Sequence, residues 1–99
     1  MRNEQIIAQA AVENNIISQL QAVEMLDNNE GNKIPLHTAA MWKSMGREKG
    51  IEYRIREDAT GIPVKLWKKR KSDTATDKYE FYLSKAILYS EKDIEIVSD

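Results

Sequence analysis

The chain has 99 residues, 41% apolar and 31% charged, with a net charge of −1, which is the make-up of one globular domain with one modest core. It has no cysteine and one histidine, His37, which excludes disulfides and thiolate metal sites and leaves too few ligands for the usual zinc centres. No apolar run approaches the ~20 residues of a membrane helix. The opening MRNEQIIAQAAVENN lacks the apolar stretch of a secretory leader. The expected protein is cytoplasmic and has no membrane partner.

In chain order, residues 3–13 read as a helix, with Asn3 as its cap and Ile6, Ile7, Ala10 and Ala11 as its apolar stripe. Asn14-Asn15 is a break, because asparagine tolerates turn conformations. Ser18 to Gln21 is a capping box, S-x-x-Q, and starts a second helix of about 18–28 with Leu20, Val23 and Leu26 buried. One unbroken helix over 3–27 is the alternative. These acidic helices are expected to cover the core.

Residues 27–32 are a loop by composition. Thr38 caps a short helix of about 39–45 that puts Ala39, Trp42 and Met45 on one face, and Gly46 stands where a left-handed C-cap is expected. This makes Trp42 a core anchor.

After Gly50 the apolar period changes to 2. Ile51, Tyr53 and Ile55 alternate with Glu52, Arg54 and Arg56, the pattern of a half-buried strand. Residues 57–61 form a turn in which Asp58 and Gly61 can take positive φ. A second strand runs from Ile62 to Lys69, with Pro63 marking an edge or a strand start. Ser72 to Asp77 is a polar hairpin loop. Lys78 to Tyr89 is a third strand, long enough to expect a bulge near Ser84-Lys85. The tail from Glu91 alternates Ile94 and Ile96 with acids, and a short strand and a loose end both remain open. The architecture expected is α+β: N-terminal helices over 1–30, then an antiparallel three-stranded meander sheet, in a single domain of 1–99.

Charge is unevenly spread. From Thr38 to Lys71 ten basic residues (Lys43, Arg47, Lys49, Arg54, Arg56, Lys65, Lys68, Lys69, Arg70 and Lys71) face four acids, a net of +6 that leaves −7 for the remainder. Such a split suits a surface that meets an anion. On the second strand Lys65, Trp67 and Lys69 share one face, opposite Val64 and Leu66. Arg54 and Arg56 are expected alongside from the neighbouring strand. An aromatic ring among cations on a sheet suits single-stranded nucleic acid, because the ring stacks a base and the cations follow the phosphates. The plainer reading is a core Trp67 beside lysines that guard a sheet edge. A bulge near Pro63 would swap the two faces.

No zinc-protease helix motif, glycine-rich phosphate loop or nucleophile elbow is present, and no pair of acids stands out. His37, just before a helix cap, reads as a loop or packing residue. The expectation is a non-enzymatic protein with no cofactor and no metal.

His37-Thr38, Trp42-Lys43, Gly46, Ile55-Arg56, Gly61-Ile62-Pro63-Val64, Leu66-Trp67-Lys68, Phe81 to Lys85 and Leu88-Tyr89-Ser90 form a pattern. Over residues 34–96 it resembles the N-terminal single-stranded-DNA-binding domain of the ArdC antirestriction family, in its small phage and mobile-element version. Where the family has a basic glycine-rich turn, this chain has Arg56 to Gly61 with Asp58 and Thr60, which implies weaker phosphate contact there. The metallopeptidase domain of full-length relatives has no counterpart in the matched pattern. The resemblance implies a protein of a bacterial host's cytoplasm that binds single-stranded DNA with little sequence preference, with RNA left open. The strand residues named above would line the site, with Lys68, Arg70 and Lys71 beside them and Lys43, Arg47 and Lys49 extending it. The alternative is an antirestriction or anti-CRISPR inhibitor that binds a host defence protein, which the pI near 5.9 favours.

Overall fold

Two asparagines with left-handed backbones, Asn15 at φ 58 and Asn29 at φ 56, end the two N-terminal helices. The computed structural model describes residues 1–71 and 79–97. Helix α1 spans Asn3–Glu13 and α2 spans Gln19–Asp27, so the single long helix does not form. Ser18 and Gln21 make the expected reciprocal capping box on α2. On α1 the cap is Arg2 instead of Asn3. Asn3 is the first helical residue, and its side chain is engaged elsewhere.

The fold is α+β, with helices first and an antiparallel three-stranded sheet after them. Strand β1 is Leu36–His37. Helix α3 is Ala39–Lys49, β2 is Glu52–Ile55, β3 is Ile62–Lys71, β4 is Tyr79–Ser90 and β5 is Ile94–Val97. The sheet order is β1-β4-β3. Strand β2 pairs separately with β5, from Glu52 opposite Val97 to Ile55 opposite Ile94. The tail is therefore a strand, and β2 is not the neighbour of β3. The expected hairpin loop, Ser72 to Asp77, and the expected strand start at Lys78 lie outside the described residues.

The β3–β4 ladder is regular from Ile62 opposite Leu88 to Lys71 opposite Tyr79, with Lys65 opposite Lys85 and Leu66 opposite Ser84. The bulge expected near Ser84-Lys85 is absent, so side chains alternate faces along the whole ribbon. Strand β3 is the sheet edge, which accommodates Pro63. Gly61 takes φ 70 at the entry to β3, and Asp58 does not have positive φ.

The inner face of the ribbon is the core. Leu66 and Leu88 pack with Ala8, Ala10 and Ala11 of α1, Ala22 of α2, and Ile34 and Leu36 before α3. Alanines at these positions let the helices approach the sheet closely, and Leu88, Leu36 and Ile34 are fully buried among them. This changes which face of α2 is inside. Ala22 is buried and Met25 and Leu26 pack at the margin, whereas Leu20, 68% exposed, and Val23 face solvent. The stripe expected on Leu20, Val23 and Leu26 is rotated.

Helix α3 forms a second, smaller cluster. Trp42 is 5% exposed, and its ring meets His37 edge-on at 5.0 Å and Tyr53 edge-on at 5.5 Å. Its Nε1–H donates to the Tyr89 carbonyl at 2.9 Å, which ties α3 to β4. The anchor role expected of Trp42 therefore matches its burial. The helix is one turn longer than expected and ends at Gly50 (φ 72), not Gly46. Gly46 is buried, and a Cβ there would lie 2.9 Å from the Ile51 carbonyl oxygen and 3.0 Å from the Tyr53 ring. Close packing of α3 on β2 requires that glycine.

The radius of gyration is 15.3 Å, against ~13 Å for a round domain of this length. Among the described residues, those of the β3–β4 ribbon from Trp67 to Arg70 and from Tyr79 to Lys85 are not buried.

Candidate nucleic-acid interface

Facing residues in an antiparallel pair share a face. The outer face of the ribbon therefore carries three successive rungs: Lys65 with Lys85, Trp67 with Leu83, and Lys69 with Phe81. Leu66 is buried between exposed Lys65 and Trp67, so the register read from the sequence holds and Trp67 faces outward. It is 41% exposed, Leu83 48% and Phe81 67%. This is a large apolar and aromatic surface for a chain this small to leave open.

Its cations are unevenly occupied. Lys65 and Lys85 stand opposite each other, a like-charge pair, and neither has an acidic partner among the described residues. Lys69 lies with its Nζ 4.0 Å from the Tyr79 ring centre, a cation–π contact at the same end of the ribbon as Phe81.

The backbone of β3 is held from the side. Trp67 N–H donates to Asn3 Oδ1 at 2.7 Å, and Asn3 Nδ2 donates to the Trp67 carbonyl at 3.0 Å. The amide of Asn3 thus takes the place of a neighbouring strand at this point of the free edge. Residues 1–3 and the outer rungs enclose an open groove of about 510 Å³ with Trp67, Lys69 and Phe81 on its wall.

Other expected site residues lie elsewhere. Arg54 and Arg56 belong to β2 and the residue after it, beside β5, not beside β3. Arg54 Nε donates to Glu95 at 2.7 Å and is ion-paired with it, and the Arg56 N–H donates to the Asp93 carbonyl at 2.8 Å. Lys68 and Arg70 alternate with the Trp67 row and so project from the opposite face, where Arg70 bridges Glu80 at 3.2 Å and lies over the Tyr82 ring. Lys71 closes β3, and its side chain is outside the described residues. Lys43, Arg47 and Lys49 are exposed on α3, which packs on β2. Lys49 lines a separate cleft with His37, Trp42 and Tyr53.

Phe81, Leu83 and Lys85 belong to the face and were not singled out for it by the sequence. The supposed bulge at Ser84-Lys85 hid them, because it would have left the facing of β4 undefined. Strict alternation from Tyr79 was the available signal.

Among the described residues His37 is the one titratable group with a clear shift: half-burial lowers its pKa by desolvating the imidazolium. Among the described residues no group of three or more His, Asp or Glu side chains is placed to hold a metal ion. No helix among them is long and apolar enough to cross a membrane. Comparison with protein-family models, curated proteins and solved structures gave no match.

Proposed function

We propose that this chain is a non-enzymatic protein that binds single-stranded DNA, with little sequence preference, on the outer face of the β3–β4 ribbon. The observation that carries the reading is the exposure of Trp67 and Phe81 on one face with Lys65, Lys69 and Lys85. Exposed rings offer stacking surface to any base, and lysines with no acidic partner among the described residues offer charge to any phosphate, so such a face is tolerant of sequence. The ArdC-like pattern over residues 34–96 points the same way, towards a phage or mobile-element protein acting in a bacterial cytoplasm. The test is fluorescence anisotropy with a labelled oligonucleotide, single- and double-stranded, at two salt concentrations. The single strand should bind more tightly and lose affinity as salt rises. Equal binding to the duplex, or none to either, would sink the reading.

A second reading is favoured by Leu83 and Ile87. Both are exposed aliphatic residues on the same face, and a phosphate chain has little use for them. They suit an antirestriction or anti-CRISPR inhibitor that lays this face on a host defence protein. Capture of a purified nuclease by the wild-type chain, lost on Leu83→Asp while oligonucleotide affinity stays the same, would favour this reading over the first.

A further inference from the structure

We infer that the bound single strand lies lengthwise along the ribbon and that its footprint is about four nucleotides. The inference rests on the single-strand reading above and adds the path and length of the ligand.

The ribbon fixes the direction. Strand β1 pairs with β4 only at Ser90 and Tyr89, so alongside the three rungs the sheet is two strands wide. Two strands are ~5 Å apart, while residues two apart along a strand advance ~6.6 Å. A polymer crossing the ribbon would touch one rung and leave it. A polymer running along it meets a cation rung, an aromatic rung and a mixed rung in turn: Lys65 with Lys85, Trp67 with Leu83, and Lys69 with Phe81. That order, charge then ring then charge and ring, is the order of phosphate and base along one strand.

The rungs also fix the length. Lys65 and Lys69 are four residues apart, ~13 Å along β3. Stacked nucleotides advance ~3.4 Å per strand, so this span holds about four of them, and fewer if the strand is stretched. The paired lysines at one end hold the first phosphate, for which their mutual repulsion in the free protein makes them a ready site. Trp67 and Phe81 lie diagonally across adjacent rungs, ~7–8 Å apart, so at that rise each ring meets a base of its own, about two steps apart along the strand. Lys69, already drawn over Tyr79, holds the far phosphate.

The test uses the full chain and oligothymidylates of two, four, eight and sixteen nucleotides, by titration calorimetry at low salt. Affinity should rise at least tenfold from two to four nucleotides. Beyond four it should rise no more than the number of available four-nucleotide registers. Trp67→Ala and Phe81→Ala should each weaken the four-nucleotide ligand about 5- to 150-fold. Lys85→Gln should do so with a reduced salt slope, and all three should melt like the parent because the side chains are exposed. Affinity that keeps climbing past the register count would place contacts outside the ribbon and overturn the footprint. Binding that Phe81→Ala leaves unchanged would overturn the path. If the sixteen-nucleotide strand does not bind at all, the single-strand reading itself falls. A dimer that Phe81→Asp converts to monomer would mean that a second copy covers the face.

Discussion

Asn3 and Trp67 are 64 residues apart in sequence, yet the Asn3 side chain makes both a donor and an acceptor hydrogen bond with the Trp67 backbone. The first residue of α1 is thereby fixed to the edge strand at the rung that holds the exposed indole. Asn3→Ala removes both bonds. At these exposed positions each is worth about 0.5–1.5 kcal/mol, so the loss should be about 1–2 kcal/mol and Tm should fall several degrees. Asn3→Asp keeps the acceptor and places an anion at a helix N-terminus, and should fall between parent and alanine. Thermal melts of the three proteins, with hydrogen exchange at the Trp67 amide, check this. An alanine variant with parental melting and unchanged exchange would show that α1 is held by its alanines alone.

Trp42→Ala should come close to unfolding the protein. It deletes the centre of the α3 cluster and orphans the Tyr89 carbonyl, for about 3–5 kcal/mol, out of a usual total of about 5–15 kcal/mol. Urea denaturation is the measure. Trp42→Phe fills most of the volume but loses the bond to Tyr89, and should cost less than half as much. An alanine variant as stable as the parent would reject the anchor role.

Trp67→Ala should leave the midpoint of unfolding within about 0.5 kcal/mol of the parent. It should cost about 1–3 kcal/mol in single-strand affinity, the worth of one stacked base. Lys65→Gln and Lys69→Gln should each lower the salt slope by about 0.7, the share of one phosphate on a single strand. Binding isotherms at three salt concentrations decide the matter, and a marked loss of stability in Trp67→Ala would show that the indole is structural.

Gly46→Ala should be destabilising although alanine favours helix. The added methyl meets the Ile51 carbonyl and the Tyr53 ring at about 3 Å, and overpacking of this kind costs about 1–3 kcal/mol. The same change at an open helical position would gain up to about 1 kcal/mol. A thermal melt that rises in Gly46→Ala would mean that α3 can shift away from β2 freely.

Stability should fall in acid partly through His37. Its folded pKa is lowered by burial, so the unfolded chain binds the proton more readily. The stability that neutral His37 contributes is complete above its unfolded pKa, ordinarily ~6.5, and is lost as pH falls from there through the lowered folded value. His37→Phe keeps an edge-on ring beside Trp42 and removes the titration. Between pH 7.5 and 5 the parent should lose more Tm than this variant, and parallel losses would remove His37 from the account.

The parts of this fold that could be read from the sequence are the local ones. The alternation of Val64, Lys65, Leu66 and Trp67 settled which way the indole points, because a period of 2 on a regular strand has only two solutions. Ser18 and Gln21 marked a helix start for an equally local reason. What escaped depends on partners distant in the chain. Nothing in Glu52–Ile55 says that it pairs with Ile94–Val97 rather than with β3, and that pairing takes Arg54 and Arg56 away from the site. On α2 the spacing of Leu20, Val23 and Leu26 was a fair amphipathic stripe. The facing surface of α1 is lined with alanines, and it admits the small Ala22 where a leucine would hold the helices apart.

The burial of Trp42 and the exposure of Trp67 give this protein two optical probes that do not report on the same event. An indole sealed between His37 and Tyr53 emits at shorter wavelength and responds to the loss of the fold. An indole half in water emits to the red and is reached first by a soluble quencher such as iodide. Emission of the unlabelled chain recorded with and without iodide therefore separates what happens to the α3 cluster from what happens at the ribbon, without any introduced dye.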